Sequence, residues 1–141
     1  MRFALAVAAA FAAASCTPQP VNDVEPWDRL IPQPRTVSPA SSGSFVFGPN
    51  ARVSTCHEAL QPTADRLVAR LREVTGFAWK QVADAPEVEL RLCLDSGLER
   101  EGYTLSVTKS GVAIFGGDAP GVERAVQTFW QLLPVSPPRG A

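Results

Sequence analysis

The chain has 141 residues, 45% of them apolar, which is enough for one domain of ordinary size with its own core. Its 13 Lys and Arg nearly balance 14 Asp and Glu, so the sequence carries neither the basic surface expected of a nucleic-acid-binding protein nor an acidic tail. The 13 prolines lie mainly towards the two ends. This distribution predicts a folded central region that is flanked by proline-rich linker segments.

The N-terminus has the pattern of an export signal, a positively charged start followed by an unbroken apolar run over residues 3–14. That run is too short to span a bilayer, which takes about 20 residues, but it has the length of the apolar region of a signal peptide. Residues 13–16 read AASC, which resembles a bacterial lipoprotein cleavage site whose cysteine, here Cys16, becomes the lipidated N-terminus. Such sites usually have Leu where Ala13 stands, so ordinary cleavage near Ala14 is the alternative. We therefore expect an exported protein: either a periplasmic or outer-membrane lipoprotein that touches the membrane only through its lipid, or a secreted one.

Two cysteines, Cys56 and Cys93, remain once Cys16 is assigned to a lipid. They form an even pair in an oxidising compartment, and neither belongs to a CxxC motif that would favour a metal site. Both fall on the polar sides of their predicted strands and can point to the same side of a sheet. The sequence predicts a disulfide between them; the alternative is two free thiols, one of them buried.

Four segments follow from these features and from the distribution of proline. They are a signal peptide at 1–15, a flexible spacer at 16–29, a folded domain at 30–134 and a tail at 135–141.

The first half of the folded domain predicts two short strands and a helix. Residues 45–47 read FVF, and residues 52–56 alternate between apolar and polar side chains. In residues 60–75 the apolar side chains recur at three- and four-residue steps, which places them on one face of a helix. Gly76 follows where a left-handed C-terminal cap belongs.

The second half predicts three strands and a closing helix. Residues 87–95 alternate strictly, and residues 102–117 form a hairpin around a glycine-containing turn. Asp118 suits the N-cap of a helix over residues 119–133. On that helix Trp130 lies about 80° from the centre of the apolar stripe, which fits either a domain interface or the edge of the core.

The element order is therefore strand, strand, helix, three strands, helix, with every strand amphipathic. This order predicts an α+β two-layer sandwich in which both helices cover one face of a mostly antiparallel mixed sheet. The other face is left for water or for a partner.

Five stretches of this domain also match the motifs of a known family. Residues 30–35 read LIPQPR, similar to an "IPxPxx" opening, and residues 101–107 (EGYTLSV) with 111–114 (GVAI) resemble an "EGYxLxV…GVxI" hairpin. Residues 118–121 (DAPG) with 126–134 (VQTFWQLLP) resemble a closing "DxxGxxxGxQTLxQLLP" helix. The chain thus resembles the non-catalytic N-terminal domain of family 20 glycoside hydrolases, the β-N-acetylhexosaminidases.

The resemblance covers roughly residues 30–134 and departs from the family at Arg124 and Ala125, where an aromatic residue and a glycine are usual. In the family this domain packs beside a (β/α)8 barrel that performs a substrate-assisted hydrolysis. An Asp orients the attacking 2-acetamido group, and an adjacent Glu protonates the leaving oxygen. This sequence has no Asp-Glu dipeptide, so the resemblance carries over no catalytic residue.

Other candidate sites in the sequence favour ordinary structural roles. His57 is the only histidine, which excludes an HExxH zinc motif, and we expect it to be solvated between a strand and a helix. Glu99 and Glu101 flank an arginine and are expected in an exposed charged turn. Residues 116–117 (GG) precede a helix, but Asp118 would repel a phosphate there. The sequence predicts no catalytic, cofactor or metal-binding residue.

Two functions from different classes remain open. The first is an accessory domain of an exported β-N-acetylhexosaminidase that acts on chitin, peptidoglycan or other glycans, with the catalytic barrel as its partner. The second is a stand-alone lipoprotein module that binds a protein or a glycan through the open sheet face. The chain is then a fragment of a longer enzyme, a truncated gene product, or a separate copy with another task. A downstream barrel with an Asp-Glu motif would favour the first function.

Overall fold

The computed structural model describes residues 25–39 and 45–133. The signal peptide, most of the spacer and the tail lie outside these residues, as does Cys16. The described residues form two short 3-10 helices, five strands and two α-helices. The strands are β1 (Arg52–Thr55), β2 (Lys80–Val82), β3 (Leu90–Leu94), β4 (Tyr103–Thr108) and β5 (Gly111–Gly116), and the α-helices are α1 (Gln61–Thr75) and α2 (Ala119–Leu132).

The five strands form one sheet in the order β2-β1-β3-β5-β4. Three of its four strand pairs are parallel, and only β4 and β5 run antiparallel. The α+β class is confirmed, whereas the prediction of a mostly antiparallel sheet is wrong. The connections between the strands explain the difference. Helix α1 connects β1 to its parallel neighbour β2, as a crossover helix does. In the hairpin of β4 and β5, it is β5 that pairs with β3, and this pair is parallel.

Three local predictions also need correction. Residues 45–47 are not a strand; instead the ring of Phe47 packs 4.9 Å from Trp79 and 6.0 Å from Phe129, centroid to centroid. The strand expected over 87–95 begins only at Leu90. Finally, β2 follows α1 directly and was not expected, because its three residues show no clear alternation.

Both helices pack on the same face of the sheet, as predicted. Strand register aligns Val53, Leu90 and Val112 in one row across β1, β3 and β5. All three side chains are buried, and they share one core cluster with apolar residues of the two helices, among them Leu67 and Val122. Burying this face supplies the main stabilisation of the fold.

The opposite face of the sheet is only partly open. The connection between β2 and β3 crosses over it, where the Ser54 hydroxyl donates to the Ala85 carbonyl at 3.2 Å and Arg91 donates to Asp84 at 3.1 Å. Ser54 is therefore fully buried although it points away from the helices. Around β4, by contrast, Thr104 and Ser106 stay exposed.

The turn before β4 packs directly against the start of α2. The Gly102 carbonyl accepts a hydrogen bond of 2.9 Å from the N–H of Gly117. A Cβ placed on Gly121 would overlap that same carbonyl oxygen, and one placed on Gly117 would overlap the carbonyl of Glu99. The close approach of the two backbones therefore requires glycine at both positions.

The first described segment is fastened to the last helix. Leu30 is 3% exposed, and the preceding 3-10 helix, Pro26–Arg29, lies against α2. The backbone N–H of Ile31 donates to the Gln131 side-chain oxygen at 2.9 Å, and the Gln131 amide nitrogen donates back to the Ile31 carbonyl at 3.0 Å. These two bonds join residues 100 positions apart.

The ion pair between Arg52 and Glu89 should make a pH-dependent contribution to the stability of the fold. Burial by itself would raise the pKa of Glu89, but hydrogen bonds from the Arg52 guanidinium and backbone N–H, at 3.2 and 2.8 Å, outweigh it and hold that pKa below its ordinary value of 4.5. A lowered carboxyl pKa stabilises the fold above the ordinary pKa, and that stabilisation disappears as the pH falls through the folded-state value.

We therefore expect Glu89→Gln to lower the free energy of unfolding by a constant amount above about pH 5, and by a shrinking amount below about pH 4. Urea denaturation between about pH 3 and about pH 7 measures the difference. Glu87→Gln is the matched control, because residue 87 offers Arg52 only its backbone carbonyl. A Glu89→Gln deficit that grows on acidification would contradict the assignment.

Candidate functional site

The only histidine has a local structural role. His57 is the N-cap of the 3-10 helix Glu58–Leu60, and its Nδ1 atom accepts a hydrogen bond of 3.1 Å from the backbone N–H of Ala59. It lies in the position between strand and helix that the sequence predicts, and its side chain is otherwise exposed.

The acidic residues near the second helix are also occupied by structural contacts. One Asp118 side-chain oxygen accepts from the N–H of Gly121 at 2.9 Å and from the N–H of Glu101 at 3.0 Å, so it caps α2 as predicted and also holds the turn before β4. The Glu101 carboxylate pairs with Arg124 at 2.8 Å. Glu99 lies 3.6 Å from Arg35 with both side chains almost fully exposed. Each of these three carboxylates therefore already has a structural partner, a backbone N–H or an arginine.

Cys56 and Cys93 form a disulfide bond in the structure, with their Cα atoms 4.9 Å apart. This separation is within the usual range of about 4.4–6.8 Å. The backbone supports the pair, since the N–H of Cys56 donates to the Leu92 carbonyl at 3.0 Å and continues the ladder between β1 and β3. Cys93 is 3% exposed.

Neither a metal cluster nor a membrane span is found in the part of the chain that the structure describes. No three His, Cys, Asp or Glu side chains group there in a way that could hold an ion. No helix among residues 25–39 and 45–133 is long and apolar enough to cross a bilayer. The lipidation predicted at Cys16 lies outside the described residues.

The described surface contains a groove of about 200 Å³ between the two helices. Each helix contributes residues at positions i, i+3, i+4 and i+7, which form one face. The buried side chains of Leu67 and Val126 form its floor. Its walls are polar and aromatic: Thr63, Arg66 and Arg70 come from α1, and Glu123, Gln127 and Trp130 come from α2.

Side chains from the two walls contact each other across this interhelical groove. Glu123 forms an ion pair with Arg66 and accepts a hydrogen bond of 3.2 Å from the Thr63 hydroxyl. The Arg70 guanidinium lies over the Trp130 ring, 5.1 Å from its centroid, in a cation–π arrangement. Trp130 is thus half-buried at the rim of the groove and lies 6.0 Å from the core ring of Phe129.

Sequence reasoning identified Trp130 but missed the other polar members of this groove. In the sequence, nothing distinguishes Arg66, Arg70 and Glu123 from charged residues that lie off an apolar stripe and face water. The missing information is the relative rotation of the two helices, which brings the two polar flanks into contact. The repeated i, i+3, i+4, i+7 spacing on both helices was the available signal.

Comparison with known proteins identifies close similarity to one enzyme family. Residues 28–139 match the family model of glycosyl hydrolase family 20, domain 2. A β-hexosaminidase of Porphyromonas gingivalis is 30% identical over 109 residues, which are 74% of this chain and 14% of that protein. This chain therefore spans about a seventh of that relative's length.

Solved structures give the same result. The N-acetyl-β-hexosaminidase of Streptomyces plicatus superposes with a TM-score of 0.71 at 30% identity, over 78% of this chain and 22% of that one. The family 20 β-N-acetylhexosaminidase of Streptomyces coelicolor superposes with a TM-score of 0.72 at 29% identity, over 82% and 24%. In both, most of the enzyme lies outside the matched region.

Proposed function

This chain belongs to glycosyl hydrolase family 20, and from that membership we propose that it is the accessory, non-catalytic domain of an exported β-N-acetylhexosaminidase. Its partner is the catalytic (β/α)8 barrel of the same chain or of an adjacent one. The barrel hydrolyses terminal N-acetylhexosamine residues, and this domain supports it from one side. The chain alone has no part in the bond-breaking step.

One observation carries this proposal: the match to domain 2 spans residues 28–139 and includes all five strands and both α-helices of the described residues. The acidic side chains support it. Asp118 is held by two backbone N–H groups and Glu101 by Arg124, so both carboxylates have structural contacts within the domain. The Asp-Glu pair that the family mechanism uses is not in this sequence.

The proposal predicts that the purified chain alone does not cleave a chromogenic N-acetylglucosaminide, whereas a protein that joins it to its barrel does. Release of the chromophore measures both. A boiled sample of each protein is the control. Turnover by the chain alone above its boiled control would show that an active site lies within these residues and would refute the proposal.

The second candidate is a stand-alone module that binds a protein or a glycan through the open part of the sheet. The observation in its favour is the uncovered surface of β4 and β5, where Thr104 and Ser106 are exposed beside the half-buried ring of Phe115. The gene sequence downstream of the one that encodes this chain distinguishes the two candidate functions. A barrel with an Asp-Glu pair supports the enzyme, and an unrelated gene supports the module.

We also propose that the protein is exported and anchored by a lipid on Cys16. The support is the apolar run over residues 3–14, the AASC sequence at 13–16, and the disulfide, a bond typical of oxidising compartments. The mass of the mature protein tests it. We expect a chain that starts at Cys16 with the added mass of the lipid. A mature chain with an unmodified N-terminus near Ala14 would indicate ordinary cleavage instead.

A further inference from the structure

Strand β4 is one of the two edges of the sheet and pairs with β5 alone. Hydrogen-bonded pairs alternate along an antiparallel ladder, and the bond from the Gly117 N–H to the Gly102 carbonyl shows that the even-numbered residues of β4 are bonded to β5. The backbone N–H and C=O groups of Tyr103, Leu105 and Val107 therefore point away from the sheet. Within residues 25–39 and 45–133 these groups have no hydrogen-bond partner.

The sequence of β4 lacks the features that normally protect an edge strand. An open edge is a template for another strand, and natural proteins block it with proline, lysine, a bulge or a short length. The opposite edge, β2, follows this rule, since it has three residues and begins with Lys80. By contrast, β4 has six residues, YTLSVT, without charge or proline, and each is paired one to one with β5. Of the two edges of the described sheet, β4 is the one suited to pairing.

The edge is also held in place before any partner arrives. The Tyr103 and Thr128 hydroxyls share a hydrogen bond of 2.6 Å, which joins β4 to α2. Leu105 is half-buried and Val107 is 45% exposed, so apolar surface lies along the edge where a further strand would cover it. A strand that is already extended and fixed loses less conformational entropy on binding.

A second copy of the same strand is complementary to this edge. In an antiparallel pair about a two-fold axis through Leu105, this residue lies opposite its own copy and Tyr103 lies opposite Val107. All the outward-pointing backbone groups of the strand then find partners. The helix side gains an aromatic ring against a β-branched side chain, and the other side places Thr104 opposite Ser106. Both kinds of cross-strand pair are favourable, and the uncharged strand brings no like charges together.

We propose that two copies of this chain associate through β4, in the antiparallel register centred on Leu105, and form one sheet that continues across both copies. The pairing uses the β4 edge of each copy and leaves only the short β2 edges, so it closes as a dimer and does not extend into a filament. The inference goes beyond the proposed function, which concerns the catalytic barrel and not a second copy.

The oligomeric state of the 141-residue chain tests the inference, measured by sedimentation equilibrium at several concentrations. A single pair of edge strands is a small interface, so we expect a dimer with a dissociation constant between about 1 μM and about 1 mM. Val107→Pro removes an outward N–H and leaves the ladder to β5 intact; it should weaken the dimer at least about tenfold. The control Val107→Thr keeps that N–H and should still dimerise. A parent chain that stays monomeric up to about 1 mM would contradict the proposal.

A charge at the same position tests the edge without a change in the backbone. Val107→Lys introduces the residue that natural edge strands use against pairing, and it should also weaken the dimer at least about tenfold. Val74→Lys is the matched control, because Val74 lies on α1 and is 47% exposed, close to the 45% of Val107. Thermal midpoints at a concentration where the chain is monomeric separate loss of pairing from loss of folding. A dimer that survives both Val107→Pro and Val107→Lys would place the interface elsewhere and overturn the proposal.

Cross-linking tests the register. Thr104→Cys and Ser106→Cys place thiols at exposed positions that face each other between two copies, with Cα atoms about 4.5 Å apart, a distance that a disulfide spans. Each position is diagonal to its own copy, at about 7–8 Å. We therefore expect mild oxidation to link a mixture of the two variants through positions 104 and 106, and neither variant alone through the new thiol. Mass spectrometry of the linked peptides distinguishes this bond from links through the native cysteines. An unlinked mixture, or a bond between identical positions, would refute the pairing.

Discussion

Gly121→Ala should destabilise the fold by about 3 kcal/mol, at the upper end of what an added methyl group usually costs in a close-packed region. Alanine is ordinarily the better helix residue, so propensity alone predicts the opposite sign. The new methyl group would overlap the carbonyl oxygen of Gly102. That oxygen cannot easily retreat, because it also accepts the hydrogen bond from Gly117.

Urea denaturation of the parent chain and of the Gly121→Ala variant at neutral pH measures this difference in the free energy of unfolding. The matched control is Gly48→Ala, since a Cβ at Gly48 meets no atom within 4 Å. We expect that variant to stay within about 0.5 kcal/mol of the parent. If Gly121→Ala were as stable as the control, the turn before β4 would not be packed on α2 as the structure has it.

Removal of the disulfide is the change with the largest expected effect. The bond joins residues 37 positions apart, and on the chain-entropy model a loop of this length contributes about 4 kcal/mol by restricting the unfolded chain. The double variant Cys56→Ala, Cys93→Ala should therefore lose about that much free energy of unfolding. Cys93 is buried, so some of the loss will come from the space its sulfur leaves.

A reducing agent separates the two contributions. Reduction should lower the stability of the parent chain towards that of the double variant and should leave the double variant unchanged. Mass spectrometry of the alkylated protein, with and without reduction, counts the thiols. Reactive thiols at both Cys56 and Cys93 in the unreduced chain would mean that no bond forms, and the expected loss would then disappear as well.

Local pattern was sufficient to predict the parts of the fold that are decided within one segment. The apolar stripes predicted both helices to within a residue or two of their ends, and Gly76 takes the left-handed conformation at the end of α1, with φ 69°. Asp118 caps α2 with its own side chain. Each of these depends on contacts between residues that are near in sequence, which is why composition and spacing reveal them.

Strand partners were not predictable in the same way. Alternation along β3 shows which side chains face the core, but it is identical for a parallel and an antiparallel neighbour. The burial of Ser54 has the same origin, because it depends on a connection that returns across the sheet. The interhelical groove was missed for a related reason: Arg66 and Glu123 are 57 positions apart, and only the packed structure brings them together.

The paired hydrogen bonds between Ile31 and Gln131 have a mechanical consequence. They place the point where the chain enters the described domain beside the point where it leaves α2. A pulling force applied ahead of Leu30 passes directly into the end of that helix and loads the two bonds side by side. As long as both bonds hold, the sheet and its disulfide lie outside the line of force.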